Sequence, residues 1–364
     1  MNIERFGVEE WMDKYESDAK YNITDTCARP MTLKELFALA GEDREDFVEA
    51  LFEKEQSYGS IYGLASLKEE IAGLYETITP DDILTQHGAT GGNQHVLFSL
   101  VRPGDRVVAF SPSYQQFYST PRALGANVTV LKLRRSNGFL PDLDELRKAA
   151  ARGLRLICIT NPNNPTGLPL DPGALLTFLE RVPEKCVVVL DEAYTDFMDE
   201  KLRTPSFEWV KRFPNLLVTR TFSKAYGLAG LRAGFGVANK ELIEMMNRIR
   251  PPFNMNAAAQ TAAVAALEDQ AFLRKVVQTN AKERARLAAF FDELKLVQLP
   301  SQANFIMVHV GPEAAEINEA MLRKGVILRP LKSYGLPEYM RISVGSPEEN
   351  DIFMKAFRET LSAL

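Results

Sequence analysis

Short, mostly continuous apolar runs recur through the middle of the chain, at 83–87, 106–111, 128–133, 155–160, 186–191, 216–221 and 233–238. Few of them alternate with polar residues, which is the pattern of strands covered on both faces. Helical patterns lie between them. Ser66-Leu67-Lys68-Glu69 reads as a capping box that opens a helix running through Tyr75. Asp142, just after Pro141, starts another. Strands alternating with helices predict an α/β fold, a mostly parallel seven-stranded sheet with helices on both faces. After about residue 250 the pattern changes. Pro251-Pro252-Phe253-Asn254 breaks the chain, and a long charged helix is expected over 270–294. Strands are expected at 304–310, 326–329 and 340–344, then a closing helix over 347–364. The division expected is an N-terminal segment (1–45) packing on a smaller α+β domain (251–364), with a large domain (46–250) between them.

Composition narrows the function classes. The 364 residues fit about two domains, and 46% hydrophobic with 25% charged residues is ordinary for a globular enzyme. A net charge of −5 gives no electrostatic reason to expect nucleic acid. No apolar run approaches the roughly 18–20 residues that span a bilayer. The opening residues, Met1-Asn2-Ile3-Glu4-Arg5-Phe6, lack the basic start and apolar stretch of a secretory leader. Cys27, Cys158 and Cys186 are far apart and odd in number, so buried thiols in a reducing, cytoplasmic setting are expected. His87, His95 and His309 have no metal-ligand spacing.

In open α/β sheets ligands bind beyond the carboxyl ends of the strands, and each conspicuous motif follows a predicted strand. Gly88-Ala89-Thr90-Gly91-Gly92-Asn93 turns into a helix whose first N–H groups suit a phosphate. A plain strand-turn-helix connection explains that motif equally well. Neither a P-loop nor Gly-x-Gly-x-x-Gly is present, which disfavours a nicotinamide-binding reading. Tyr114, in Ser111-Pro112-Ser113-Tyr114, either stacks on an aromatic ligand or packs on the domain. Asn161-Pro162-Asn163-Asn164-Pro165-Thr166-Gly167 is a rigid polar loop that fixes Asn164 at a strand end. Asp191 closes the run Cys186-Val187-Val188-Val189-Leu190, where a buried carboxylate needs a cationic or N–H partner. Tyr194 follows it. Lys224 sits in Thr221-Phe222-Ser223-Lys224-Ala225-Tyr226-Gly227, with Arg232 downstream. Burial and Arg232 are expected to lower its pKa, as suits a Schiff-base lysine.

In this order the motifs resemble the fold-type I pyridoxal-phosphate enzymes, the class I/II aminotransferases, from about residue 56 to the end. Across 155–240 and 300–345 the chain is similar to histidinol-phosphate aminotransferase. The resemblance implies an aspartate-aminotransferase-like fold with pyridoxal 5'-phosphate as cofactor. It implies that Lys224 holds the cofactor and shuttles protons at the substrate α-carbon, and that Asp191 keeps the ring nitrogen protonated. Asn164 and Tyr194 would hydrogen-bond the ring oxygen, and Tyr114 would stack on the ring. Backbone N–H groups of Ala89, Thr90 and Gly91, with Thr221, Ser223 and Arg232, would bind the phosphate. Arg341, in Tyr339-Met340-Arg341-Ile342-Ser343, would clamp the substrate carboxylate, and Arg329 matches a position that helps bind a distal phosphate. Tyr58 would reach the phosphate of a neighbouring subunit, which implies a homodimer with shared sites.

Before residue 56 the Asn-Glu-Asn-Pro segment of the histidinol-phosphate family is replaced by Tyr21-Asn22-Ile23-Thr24-Asp25-Thr26-Cys27-Ala28-Arg29-Pro30-Met31-Thr32, flanked by Glu9-Glu10-Trp11 and Leu33-Lys34-Glu35-Leu36. This stretch looks more like the subgroup containing capreomycidine synthase. The expected reaction is amino transfer between an L-amino acid and a 2-oxo acid. The alternative is elimination, cyclisation or decarboxylation on an arginine-like or phosphorylated amino acid. A non-catalytic cofactor-binding regulator would need an added DNA-binding domain, for which the acidic opening segment is too short.

Overall fold

The computed structural model describes residues 3–15, 20–27, 32, 45, 49, 53, 55, 58–150 and 153–363. After a short first strand, β1 (Tyr21–Asn22), seven strands build the large sheet. They are β2 (Ile83–Gln86), β3 (Arg106–Ser111), β4 (Asn127–Lys132), β5 (Leu156–Thr160), β6 (Val187–Asp191), β7 (Leu216–Thr221) and β8 (Gly234–Ala238). Each lies within one residue of the run that predicts it. The order is β2-β8-β7-β6-β5-β3-β4, and β8 alone runs opposite to the other six strands.

The continuous apolar runs arise because successive side chains feed two different cores. Ile157, Ile159, Val188, Leu190 and Val218 enter the core on one face. Leu156, Cys158, Val187, Val189 and Leu217 enter the core on the other. All five residues of β5, of β6 and of β8 are buried, whereas the edge strand β4 is not. Each fully buried aliphatic side chain is worth about 1.5–3 kcal/mol of hydrophobic transfer.

The helix predicted from residue 66 spans Ala65–Gly73 instead, and Ser66 does not cap it. Leu64 takes the cap position, and its N–H donates to Gln260 Oε1 at 2.7 Å. A side chain nearly two hundred residues away thus takes the N-cap N–H that the capping box assigned to the local Glu69 carboxylate. Gln260 belongs to the helix Ala257–Glu268, whose Ala263, Ala266 and Leu267 join the core of the large sheet. Asp142 does cap its helix, accepting from Glu145 N at 2.9 Å.

Further along come β9 (Val297–Gln298), β10 (Phe305–His309), β11 (Val326–Ile327), β12 (Arg329–Leu331) and β13 (Leu336–Ser343). The single strand expected over 326–329 is split at Leu328, so that β11 pairs with β1 while β12 joins the sheet β12-β13-β10-β9. The helices Gln270–Glu293 and Pro347–Ala363 close over this sheet through Phe290, Phe291, Phe353 and Phe357.

Candidate active site

The large sheet delivers its chemistry at the carboxyl ends of its parallel strands. Asp191 is the last residue of β6 and is 4% exposed. Its carboxylate accepts from Asn93 Nδ2 at 3.3 Å and from Ala193 N at 3.1 Å. Burial pushes its pKa up to about 6, against the pull of these two donors and the Lys224 charge. Asn93 is itself held by Thr219 Oγ1 at 3.4 Å. It lies in the glycine turn, but nothing in the sequence signals that it meets a residue 98 positions on.

Lys224 follows β7 and is half-buried. Its Nζ donates to Thr26 Oγ1 at 2.7 Å and lies 3.9 Å from Cys27 Sγ and 5.4 Å from the centre of the Tyr194 ring. The lysine pKa is raised, contrary to the expectation from sequence. Burial pulls it down, as expected, and Arg341 adds to that pull. Tyr194, Cys27 and Asp25 pull it up and prevail. Arg232, the residue expected to lower it, instead donates to Ser223 Oγ at 3.4 Å and to the carbonyl of Ala229. Cys158 and Cys186 are buried as predicted, while Cys27 is only partly buried, beside the lysine.

Tyr194 joins the two halves of the site. Its hydroxyl lies 3.0 Å from Thr26 Oγ1 and receives Asn164 Nδ2 at 3.1 Å. Asn164 Oδ1 in turn accepts from Arg341 Nη1 at 2.8 Å, and Arg341 Nη2 donates to the carbonyl of Thr24. Arg341 is 4% exposed, and its Nε has no partner among the described residues. Arg341 faces Arg329 across the β12–β13 pair. Arg329 is fully buried, with its guanidinium 4.5 Å from the centre of the Trp11 ring. It donates to Ser333 Oγ at 3.0 Å, while Nε and Nη1 are unpartnered among the described residues. Burial and then Arg341 lower its pKa to about 10.

The glycine turn forms the opposite wall. The helix Gly88–Leu100 starts after His87 without a side-chain cap among the described residues. The N–H groups of Ala89 and Thr90 in its first turn therefore lack intrahelical acceptors and suit an anion, whereas that of Gly91, four past the N-cap, is where the helix's own bonds begin. Gly88 has φ +70°, and a Cβ there would lie 2.8 Å from Arg232 Nη2. Thr221 Oγ1 donates to Ser223 Oγ at 2.9 Å, beside the same guanidinium. Thr90 Oγ1 meets the Tyr114 hydroxyl at 3.1 Å. Tyr58 stands apart from these residues, 84% exposed and stacked on Phe253 with ring centres 4.6 Å apart.

Residues 33–357 match the aminotransferase class I and II family. The chain belongs to that family. It is 44% identical over 286 residues to histidinol-phosphate aminotransferase 1 of Cupriavidus pinatubonensis, covering 78% of this chain and 75% of that protein. A solved PLP-dependent aminotransferase from Streptococcus suis superposes with a TM-score of 0.90 at 30% identity, over 100% of this chain and 99% of the other. Histidinol-phosphate aminotransferase from Sinorhizobium meliloti, solved in complex with pyridoxal 5'-phosphate, gives 0.84 at 26% identity, over 100% and 96%. The enzyme is a pyridoxal-phosphate-dependent aminotransferase with the aspartate-aminotransferase-like fold. The residues present fit this cofactor. The Asp191 carboxylate is buried and bonded by no cationic side chain among the described residues, and at Gly88 a helix start without a side-chain cap among them lies beside an arginine and two hydroxyls.

Sequence reading missed Thr26, Asn93 and Trp11, each of which reaches the site from far along the chain. It also missed Tyr334, a buried phenol whose pKa is raised by burial, against the pull of Arg341, Arg329 and Lys224.

Proposed function

We propose that Lys224 would carry the cofactor and would move the proton at the substrate α-carbon. When bound, pyridoxal phosphate supplies an aldehyde that captures amines and a ring that draws electrons from the α-carbon. Asp191 holds the proton on the ring nitrogen. Asn164 and Tyr194 hydrogen-bond the ring oxygen, and Tyr114 covers the ring. The helix start at Ala89, Thr90 and Gly91, with Thr221, Ser223 and Arg232, holds the phosphate. Arg341 takes the substrate carboxylate as a planar fork. One observation carries this reading: an unbroken hydrogen-bonded chain runs from Lys224 through Thr26, Tyr194 and Asn164 to Arg341. That chain supports placing the cofactor lysine and the carboxylate clamp in one site.

The substrates share that site in turn. Histidinol phosphate, the compound in the relatives' names, offers an amino group and a distal phosphate. Arg329, with two N–H groups lacking acceptors among the described residues, suits such a second anion, and Arg341 suits the 2-oxo acid. Two further proposals complete the reading. The chain divides into an N-terminal segment, a large cofactor-binding domain and a small domain, and it works in the cytoplasm as a homodimer. The exposed cluster of Tyr58, Ile61 and Tyr62 supports the dimer, in which Tyr58 reaches the phosphate site of the neighbouring subunit. The test is the half-reaction. Histidinol phosphate and amino acids are added singly, without acceptor, and the bound cofactor is followed by its absorbance. Amino transfer leaves the cofactor in its amine form until a 2-oxo acid restores it. Elimination or cyclisation leaves it as the aldehyde, and that result contradicts this reading.

A further inference from the structure

The segment that departs from the histidinol-phosphate family is tied into the site. β1 pairs with β11, the carbonyl of Ile23 accepts from Ser343 N at 3.2 Å, and the carbonyl of Thr24 accepts from Arg341. These bonds deliver Thr26, 8% exposed, between the lysine and Tyr194. Its Oγ1 is the only oxygen among the described residues that Lys224 Nζ hydrogen-bonds, at 2.7 Å. The same oxygen lies 3.0 Å from the Tyr194 hydroxyl. A threonine hydroxyl has one proton and two lone pairs. An ε-ammonium group can only donate, so Thr26 Oγ1 is the acceptor of the Lys224 bond and keeps one lone pair and its proton for Tyr194, which either donates to it or accepts from it. The Tyr194 oxygen accepts from Asn164 Nδ2 as well, so the phenol is held by Thr26 on one side and Asn164 on the other.

We propose that Thr26 is the positioning residue of Lys224, holding the ε-amino group by accepting its hydrogen bond while the Tyr194 hydroxyl bonds the same oxygen. The proposal rests on Lys224 being the cofactor lysine. A β-branched hydroxyl suits the task, because its χ1 is restricted. The hydroxyl also stabilises the ammonium form, since the neutral amine is the weaker donor. Removing it therefore lets the lysine lose its proton at lower pH.

The test uses the full chain with cofactor removed, and the same variants as holoenzyme. Trace acetylation of Lys224 is followed against pH on its peptide by mass spectrometry. Thr26→Val should move the labelling midpoint down by about one to two pH units, the equivalent of a charge-assisted hydrogen bond. Thr26→Ser should restore it, and the kcat of the holoenzyme should fall in the valine variant and recover in the serine one. If Thr26→Val does not fold, Thr26→Ala supplies the same comparison. A midpoint that does not move, or one that moves equally in the serine and valine variants, overturns the proposal. A cofactor adduct on a different lysine overturns the underlying assignment instead, and is told apart because the Lys224 midpoint still shifts.

Discussion

Asp191 is the residue whose energetics depend most on what fills the site. Its carboxyl has a pKa of about 6 in the folded chain against 3.8 for the free side chain, because burial opposes ionisation. A raised carboxyl pKa means that the protonated form stabilises the fold, fully below the unfolded pKa, and that this contribution is lost as pH rises through the folded one. Above about pH 6 the ionised group costs the cofactor-free protein roughly 3 kcal/mol. Asn at this position carries no charge to bury. Cofactor-free Asp191→Asn should therefore resist urea better than the native chain at about pH 8, by up to that amount, with the gap closing as pH falls toward 4. Equal stability at both ends would mean that the carboxylate is already compensated. Lys224 teaches the converse lesson. Its place after β7 was legible in the sequence, but the direction of its pKa was not, because Tyr194, Cys27 and Asp25 reach it from distant parts of the chain.

Strands and their exits were the most legible elements. Two-sided burial leaves an apolar run, and a polar motif at its end then stands out, as at Asp191 and Asn164. Elements held by tertiary contacts were not legible in the same way. The cap at Leu64 depends on Gln260, and the split between β11 and β12 depends on β1. The turn at Gly88 joins both kinds, since its composition marks it and its partner Arg232 lies far away. A side chain in its left-handed conformation costs about 1–2 kcal/mol, and a Cβ would meet Arg232 at 2.8 Å. Gly88→Ala should lower thermal stability by about that amount and weaken cofactor retention about tenfold, as the guanidinium is pushed from its seat. Equilibrium dialysis against pyridoxal phosphate reads the second effect. Undiminished affinity would detach this corner from the phosphate.

At the scale of the whole molecule, two cores on a seven-stranded sheet and a third around the smaller sheet hold the wall of Lys224 and Asp191 opposite Arg341. The amino-terminal residues close that space from two sides. Trp11 stacks on Arg329, and Thr24 and Thr26 bind Arg341 and Lys224. The sequence predicted that this segment packs on the smaller domain, but not that it reaches Lys224 and Arg341. The assembly follows the same logic. Tyr58, Ile61 and Tyr62 leave apolar surface exposed on the single chain, so sedimentation equilibrium should give twice the chain mass, and a monomer would remove the role assigned to Tyr58. The account as a whole turns on one covalent bond. Borohydride reduction of the holoenzyme, followed by peptide mapping, should place a single cofactor adduct on Lys224, and an adduct on any other lysine would contradict it.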